Sequence, residues 1–155
     1  VGGVARVPVA IALGSNLGDR DALLDEAEER LSVLLSGAVA SGRYETTPVG
    51  GPPDAPLYLN EVVVGSTMLS PQALLDTLLA IERDCGRERP LKDAPRTLDL
   101  DLILYGDFVI DEPGLTVPHP RFRDRAFVLD PLSEIAGDWV DPVSGLTMAE
   151  LRRRL

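Results

Sequence analysis

The sequence predicts an α+β fold: a ferredoxin-like β-α-β-β-α-β core, helices packed on the sheet, and a C-terminal extension. Three observations predict it. Apolar runs of strand length alternate with two stretches of helical periodicity in that order. Each helical stretch opens on a capping residue. Glycine and proline punctuate most of the joints.

Val7 to Leu13 is an unbroken apolar run and reads as a buried strand. Gly14-Ser15-Asn16-Leu17-Gly18 reads as a tight turn, and Asp19 as the cap of a helix. In that helix Leu23, Ala27, Leu31, Leu34 and Leu35 form one apolar face, and Gly37 ends it. Val39 to Tyr44 is the second strand. Glu45 to Leu57 holds four prolines and two glycines, the composition of a shaped loop. The valine-rich stretch Tyr58 to Thr67 is the third strand.

Ser70 followed by Pro71 is an N-cap with proline at the first helical position. The helix runs through Leu74, Leu75, Leu78 and Ile81, and Gly86 suits its C-terminal cap. A polar loop, Arg87 to Pro95, leads to a fourth strand, Leu98 to Leu104. Gly106-Asp107 turns that strand into a short hairpin ending near Ile110. Pro113 to Arg125 reads as a loop and Ala126 to Ile135 as a weak helix. Thr147 with Glu150 is a capping-box pattern ahead of a short C-terminal helix.

A chain of 155 residues with 45% hydrophobic and 26% charged residues has the composition of one globular domain, taken here as 1–155. The single cysteine, Cys85, excludes an intrachain disulfide. Cys85 and the single histidine, His119, cannot supply the four ligands of a structural zinc site. No apolar run approaches the ~18 residues of a membrane span, and Val1 to Val9 lack the basic-then-apolar pattern of a signal peptide. A cytoplasmic setting is therefore expected.

The formal charge of −10 argues against a general nucleic-acid binder. Eight of the fifteen cations lie between Arg83 and Arg125, and fourteen of the fifteen are arginine, whose forked guanidinium suits phosphate oxygens.

The sharpest motif is Pro95-Arg96-Thr97-Leu98-Asp99-Leu100-Asp101-Leu102. On a strand, Leu98, Leu100, Leu102 and Leu104 share one face, and Asp99 and Asp101 the other. Two neighbouring carboxylates repel unless a cation sits between them, and oxygen ligands beside substrate phosphates suit Mg²⁺. Arg96 next to the pair fits a polyphosphate. The same spacing also fits a half-exposed strand with a polar outer face. Glu82 with Arg87 and Arg89 fits either a phosphate contact or a solvated helix end. His119 lies in a loop of prolines and arginines, Val117 to Arg125, where it fits either a ligand contact or a structural role. Tyr44-Glu45-Thr46 and Tyr58-Leu59-Asn60 around the proline-shaped loop fit a slot for a flat heterocycle, or simply a turn and a core strand. Walker A, Gly-x-Gly-x-x-Gly and Ser-His-Asp signatures are absent from the sequence.

Taken together, these segments resemble the 6-hydroxymethyl-7,8-dihydropterin pyrophosphokinase family, from Ala10 to about Asp138. The most specific stretch is Pro95 to Asp101. Gly14 to Leu17, Tyr44 to Thr46, Pro48 to Gly50, Tyr58 to Asn60, Gly86-Arg87 and Val117 to His119 follow the family's order.

The resemblance implies an ATP-dependent transferase that moves the β,γ-pyrophosphoryl group of ATP to the pterin hydroxymethyl oxygen and releases AMP, in folate biosynthesis. It implies two Mg²⁺ ions held by Asp99 and Asp101, with ATP as co-substrate. It implies phosphate-handling roles for Arg87, Arg96 and Arg125, and a further ATP contact at Arg89. Glu82, Leu102, Thr116 and His119 match ATP-site positions. Thr46, Val49, Tyr58, Asn60 and Phe127 match the pterin slot, with Phe127 stacking on the ring and Asn60 reading its amide edge. The partners it implies are these two small molecules, with no nucleic acid or membrane, acting on a monomer. Two departures from the family are visible. Asp93 stands about where some relatives carry a tryptophan, and Pro120 where some carry an aromatic residue. A non-catalytic nucleotide- or pterin-binding module, and one domain of a longer folate-pathway enzyme, remain as alternatives.

Overall fold

Central to the fold is a strand with two unlike faces. In β1 (Val7–Ser15), Val9, Ile11 and Leu13 alternate with Ala10, Ala12 and Gly14, so large side chains point one way and small ones the other. The computed structural model describes residues 6–16, 18–47, 56–87 and 98–155, with backbone alone at 86 and 87. The expected site residues Val49, Arg89 and Arg96 lie outside the described residues, as does the Arg87 side chain.

The remaining elements are α1 (Arg20–Leu34), β2 (Ser36–Ala40), β3 (Tyr44–Thr46), β4 (Tyr58–Thr67), α2 (Pro71–Glu82), β5 (Leu98–Tyr105), β6 (Ile110–Glu112), β7 (Leu115–Val117), α3 (Ala126–Ala136) and α4 (Met148–Arg153). A five-stranded sheet has the order β2-β4-β1-β5, with β3 also on β4, and its pairs are antiparallel. This is the predicted ferredoxin-like order, because β2 and β3 act as two halves of one edge strand. Between them Ser41 keeps the ladder closed: its N–H donates to Val62 O (2.9 Å) and its Oγ accepts from Val62 N (3.0 Å).

Val9, Ile11 and Leu13 pack with Leu59, Val63, Leu98 and Leu100 against α1 and α2. Ala10, Ala12, Val62 and Val64 pack against α3 and α4 through Val128, Leu129, Leu132, Met148 and Leu151. Each fully buried leucine contributes about 1.5–3 kcal/mol over an exposed one. The predicted helix starts hold. Asp19 Oδ1 accepts from Ala22 N (3.0 Å), Ser70 Oγ accepts from Ala73 N (3.1 Å), and Thr147 and Glu150 form a reciprocal capping box.

Several expectations are corrected. Gly14 and Ser15 continue β1 rather than turning, because β4 and β5 pair with them on both sides. The face of α1 uses Leu24, and the helix ends at Leu34; Gly37 sits inside β2 with φ +62° at an irregularity in register. Gly86 does not cap α2, since the chain continues into a π-helical turn, Arg83–Arg87. Leu104 does not share a face with Leu98, Leu100 and Leu102. A bulge opposite Ala10/Ile11 inserts Ile103 and sends both Ile103 and Leu104 to the α3 side. The Gly106 turn does not fold a hairpin back on β5; β6 pairs instead with β7, within the stretch read as loop. That stretch also holds a 3-10 turn, Phe122–Asp124.

Candidate active site

α3 covers only part of its face of the sheet. Where β1 carries Ala12 and Gly14, the uncovered part sinks into a cavity of about 760 Å³. Its floor is set by register. Gly14 pairs with Asn60 of β4 on one side and Asp99 of β5 on the other, and Ala12 pairs with Asp101. A Cβ at Gly14 would stand 3.1 Å from Asn60 Oδ1 and 3.6 Å from Tyr58 Cδ1, so this glycine keeps the floor open. Thr46 of β3 stands at the edge, and Arg121, Asp124, Arg125 and Phe127 form the opposite wall.

Most of the expected heterocycle residues meet here: Thr46, Tyr58, Asn60 and Phe127. Asn60 is buried, and its Nδ2 donates to Thr46 Oγ1 at 2.5 Å, which fixes the orientation of the amide. The Arg125 guanidinium lies 5.5 Å from the centroid of the Phe127 ring. A flat ring with polar edges fits between an aromatic wall and a hydrogen-bonding floor.

Asp99 and Asp101 project from β5 into the same cavity, as their alternation predicts. Among the described residues neither makes an ion pair. Partial enclosure, and then the charge of Asp101, push the Asp99 carboxyl above the usual aspartate range. Enclosure, and then the charge of Asp99, push the Tyr58 phenol upward too. An unpartnered carboxylate pair of this kind has the donor chemistry of a Mg²⁺ site completed by substrate oxygens and water.

His119, half-buried, is not among the residues that line the cavity, though it feels the charges of Asp101, Arg125 and Arg121. Its N–H donates to Ile103 O (3.0 Å), pinning the loop to β5, and its Nδ1 accepts from Arg121 N (3.2 Å). Burial lowers its pKa, and so do Arg125 and Arg121, while Asp101 opposes them. With Nδ1 accepting from the Arg121 main chain, Nε2 is the ring's donor atom in the neutral form.

The other nucleotide-side expectations divide. Glu82, at the end of α2, accepts from Leu100 N through Oε2 (2.7 Å), so it anchors β5 next to Asp99 and Asp101. Thr116 is exposed on β7, opposite Asp111, and does not line the cavity. The Leu102 side chain is buried in the core under α1 and α2, leaving its main-chain atoms for a ligand contact. Sequence reasoning missed Ala12, Gly14, Arg121 and Asp124 as cavity residues. The alternation of Ala10, Ala12 and Gly14 with large residues was the available signal for the floor.

Comparison with known proteins identifies the family of the chain. The family model described as 7,8-dihydro-6-hydroxymethylpterin-pyrophosphokinase matches residues 10–137. A 2-amino-4-hydroxy-6-hydroxymethyldihydropteridine pyrophosphokinase from Synechocystis sp. is 46% identical over 143 residues, 91% of this chain and 72% of that one. A protein of the same name from Pseudomonas aeruginosa is 47% identical, covering 84% of this chain and 81% of its own. The mitochondrial folate synthesis bifunctional protein of Arabidopsis thaliana is 42% identical, and the match spans 86% of this chain but 24% of that protein. In the crystal structure of wild-type Plasmodium falciparum HPPK-DHPS, the fold superposes with a TM-score of 0.77 at 15% identity, over 99% of this chain and 45% of that one. With the family model matched over most of its length and bacterial relatives of similar extent at close to half identity, the chain belongs to the 7,8-dihydro-6-hydroxymethylpterin-pyrophosphokinase family.

Proposed function

We propose that this chain transfers the pyrophosphoryl group of ATP to the hydroxymethyl oxygen of 6-hydroxymethyl-7,8-dihydropterin, releasing AMP, as a step of folate biosynthesis. The observation that carries this reading is the cross-strand row Asn60–Gly14–Asp99. It sets an amide that can read a heterocycle one strand away on one side of a bare glycine, and a carboxylate pair on the other.

The pterin lies on the floor at Gly14, its amide edge hydrogen-bonded by Asn60 and its ring stacked on Phe127. Its hydroxymethyl group then points along the row toward Asp99 and Asp101. The alcohol oxygen attacks the β-phosphorus, the bond from that phosphorus to the oxygen bridging to the α-phosphorus breaks, and AMP leaves with that oxygen. The carboxylate pair is the acceptor at hand for the alcohol proton. Asp99 and Asp101 would hold two Mg²⁺ ions, which when bound neutralise phosphate charge and make the alcohol more acidic. Arg125, from the opposite wall, and His119 contribute donors to phosphate oxygens. Arg87, Arg89 and Arg96 belong to the same reading as further phosphate contacts, and Glu82, Leu102 main chain and Thr116 as the nucleotide side. Val49 completes the pterin slot.

A monomer acting in the cytoplasm belongs to the same reading. Among the described residues no helix is long and apolar enough to cross a membrane. A binding module without chemistry is not favoured, because pterin recognition alone has no use for an adjacent carboxylate pair that makes no ion pair among the described residues.

The test is AMP release from ATP with Mg²⁺, with and without 6-hydroxymethyl-7,8-dihydropterin, followed by phosphorus NMR of the product. Pterin-dependent AMP and a new diphosphate monoester are expected. Orthophosphate and ADP instead would overturn the reading.

A further inference from the structure

Arg121, Arg123 and Arg125 follow one another along a single loop, yet they do different things. Arg123 is locked on Asp141, with Nε donating to Oδ2 (2.5 Å) and Nη2 to Oδ1 (2.9 Å). Arg125 lines the cavity above Phe127. Arg121 lines the same cavity, and among the described residues its guanidinium makes no ion pair and no hydrogen bond. Only its main chain is engaged, donating to His119 Nδ1 at 3.2 Å.

Two half-buried arginines of this chain settle on nearby carboxylates, Arg20 on Glu45 (3.0 Å) and Arg30 on Asp84 (3.2 Å). Arg121 shares its cavity with Asp99, Asp101 and Asp124, and pairs with none of them. Its five N–H donors are thus available in the cavity that Asp99, Asp101 and Arg125 also line. A fork of this kind suits a chain of phosphate oxygens.

We propose that Arg121 is a second guanidinium anchor for the polyphosphate chain of the nucleotide, working beside Arg125. The inference rests on the pyrophosphoryl-transfer reading above and adds to it a binding residue that the motif pattern does not contain. The contact forms when ATP binds and persists through the transition state, so it acts on KM for ATP more than on kcat.

The experiment compares wild type, Arg121→Gln and Arg121→Lys, with Arg153→Gln, an exposed change on α4, as the control. Steady-state KM for ATP and for pterin are measured, together with calorimetric affinity for inorganic tripolyphosphate in Mg²⁺. Arg121→Gln is expected to raise KM for ATP and weaken tripolyphosphate roughly 5- to 20-fold, as loss of a charged hydrogen-bond donor does. Arg121→Lys should recover part of this by restoring charge without the fork, and KM for pterin should stay within about 2-fold. The inference is overturned if Arg121→Gln matches wild type for both ATP and tripolyphosphate, or if KM for pterin rises as much as that for ATP. Should wild type release no AMP, the functional reading fails separately. The tripolyphosphate titration still decides Arg121: weakened binding upholds the anchor, and unchanged binding removes it.

Discussion

Gly14 and Asn60 face each other across the β1–β4 ladder, and a methyl group on Gly14 would come within 3.1 Å of the Asn60 amide oxygen. That is tighter than ordinary contact, and the Asn60 amide is already held by its 2.5 Å bond to Thr46 Oγ1. The glycine therefore sets both the depth of the floor and the position of the amide. Gly14→Ala is expected to raise KM for pterin roughly tenfold by tilting Asn60, the scale of one impaired hydrogen bond. KM for ATP should change much less. Equal changes in both constants, measured by steady-state kinetics, would show that the floor is not specific to the pterin.

Some of this was legible before the structure. Asp99 and Asp101 alternate with leucines, so their common face followed from strand pitch alone, and Ser70-Pro71 and the Thr147/Glu150 box marked helix starts by local hydrogen bonding. Long-range pairing decided the rest. Gly14-Ser15 looks like a turn, and only partner strands on both sides hold it extended. The bulge at Ile103 depends on how β5 meets β1, which no local pattern encodes. The three-residue strands β6 and β7 are too short for periodicity to register. Arg121 was hidden because Arg123, between it and Arg125, blurs the spacing; the structure separates them by giving Asp141 to Arg123.

The Asp99 carboxyl offers a test through stability. Its pKa is raised in the folded chain, so the folded state binds that proton more tightly than the unfolded chain does. Its stabilising contribution is complete below the ordinary aspartate value and is lost as pH rises through the folded value. Asp99→Asn is therefore expected to raise Tm at pH 7 without Mg²⁺, by relieving repulsion with Asp101, and to change it little near pH 3. Thermal melts at the two pH values check this; a lower Tm at pH 7 would mean that the carboxylate is structurally required.

On the other face of β4, Glu61 is fully buried beside Arg43, whose guanidinium also reaches Asp21, Asp25 and Glu28. Burial and the neighbouring Glu28 carboxyl push Glu61 up to about 9, while Glu28 itself is lowered. The folded pair therefore keeps a proton that the unfolded chain releases near the ordinary glutamate value. This contribution to stability declines as pH rises from the ordinary glutamate range toward about 9. Glu61→Gln can keep the bond from Arg43 Nε without titrating. Its unfolding free energy from urea titration should hold steadier than that of wild type from pH 5 to 9, by roughly 1 kcal/mol or more. Parallel declines in the two proteins would place the proton elsewhere.

The most direct test of the account is single-turnover AMP release by Asn60→Ala and Asp99→Asn, each over a range of pterin concentrations at saturating ATP and Mg²⁺. The account assigns recognition to Asn60 and chemistry to Asp99, across one glycine. Asn60→Ala should weaken pterin binding by about 1–3 kcal/mol yet approach the wild-type rate once pterin saturates. Asp99→Asn should stay slow at every pterin concentration. An Asn60→Ala rate that remains low at saturation, or an Asp99→Asn enzyme that turns over like wild type, would contradict it.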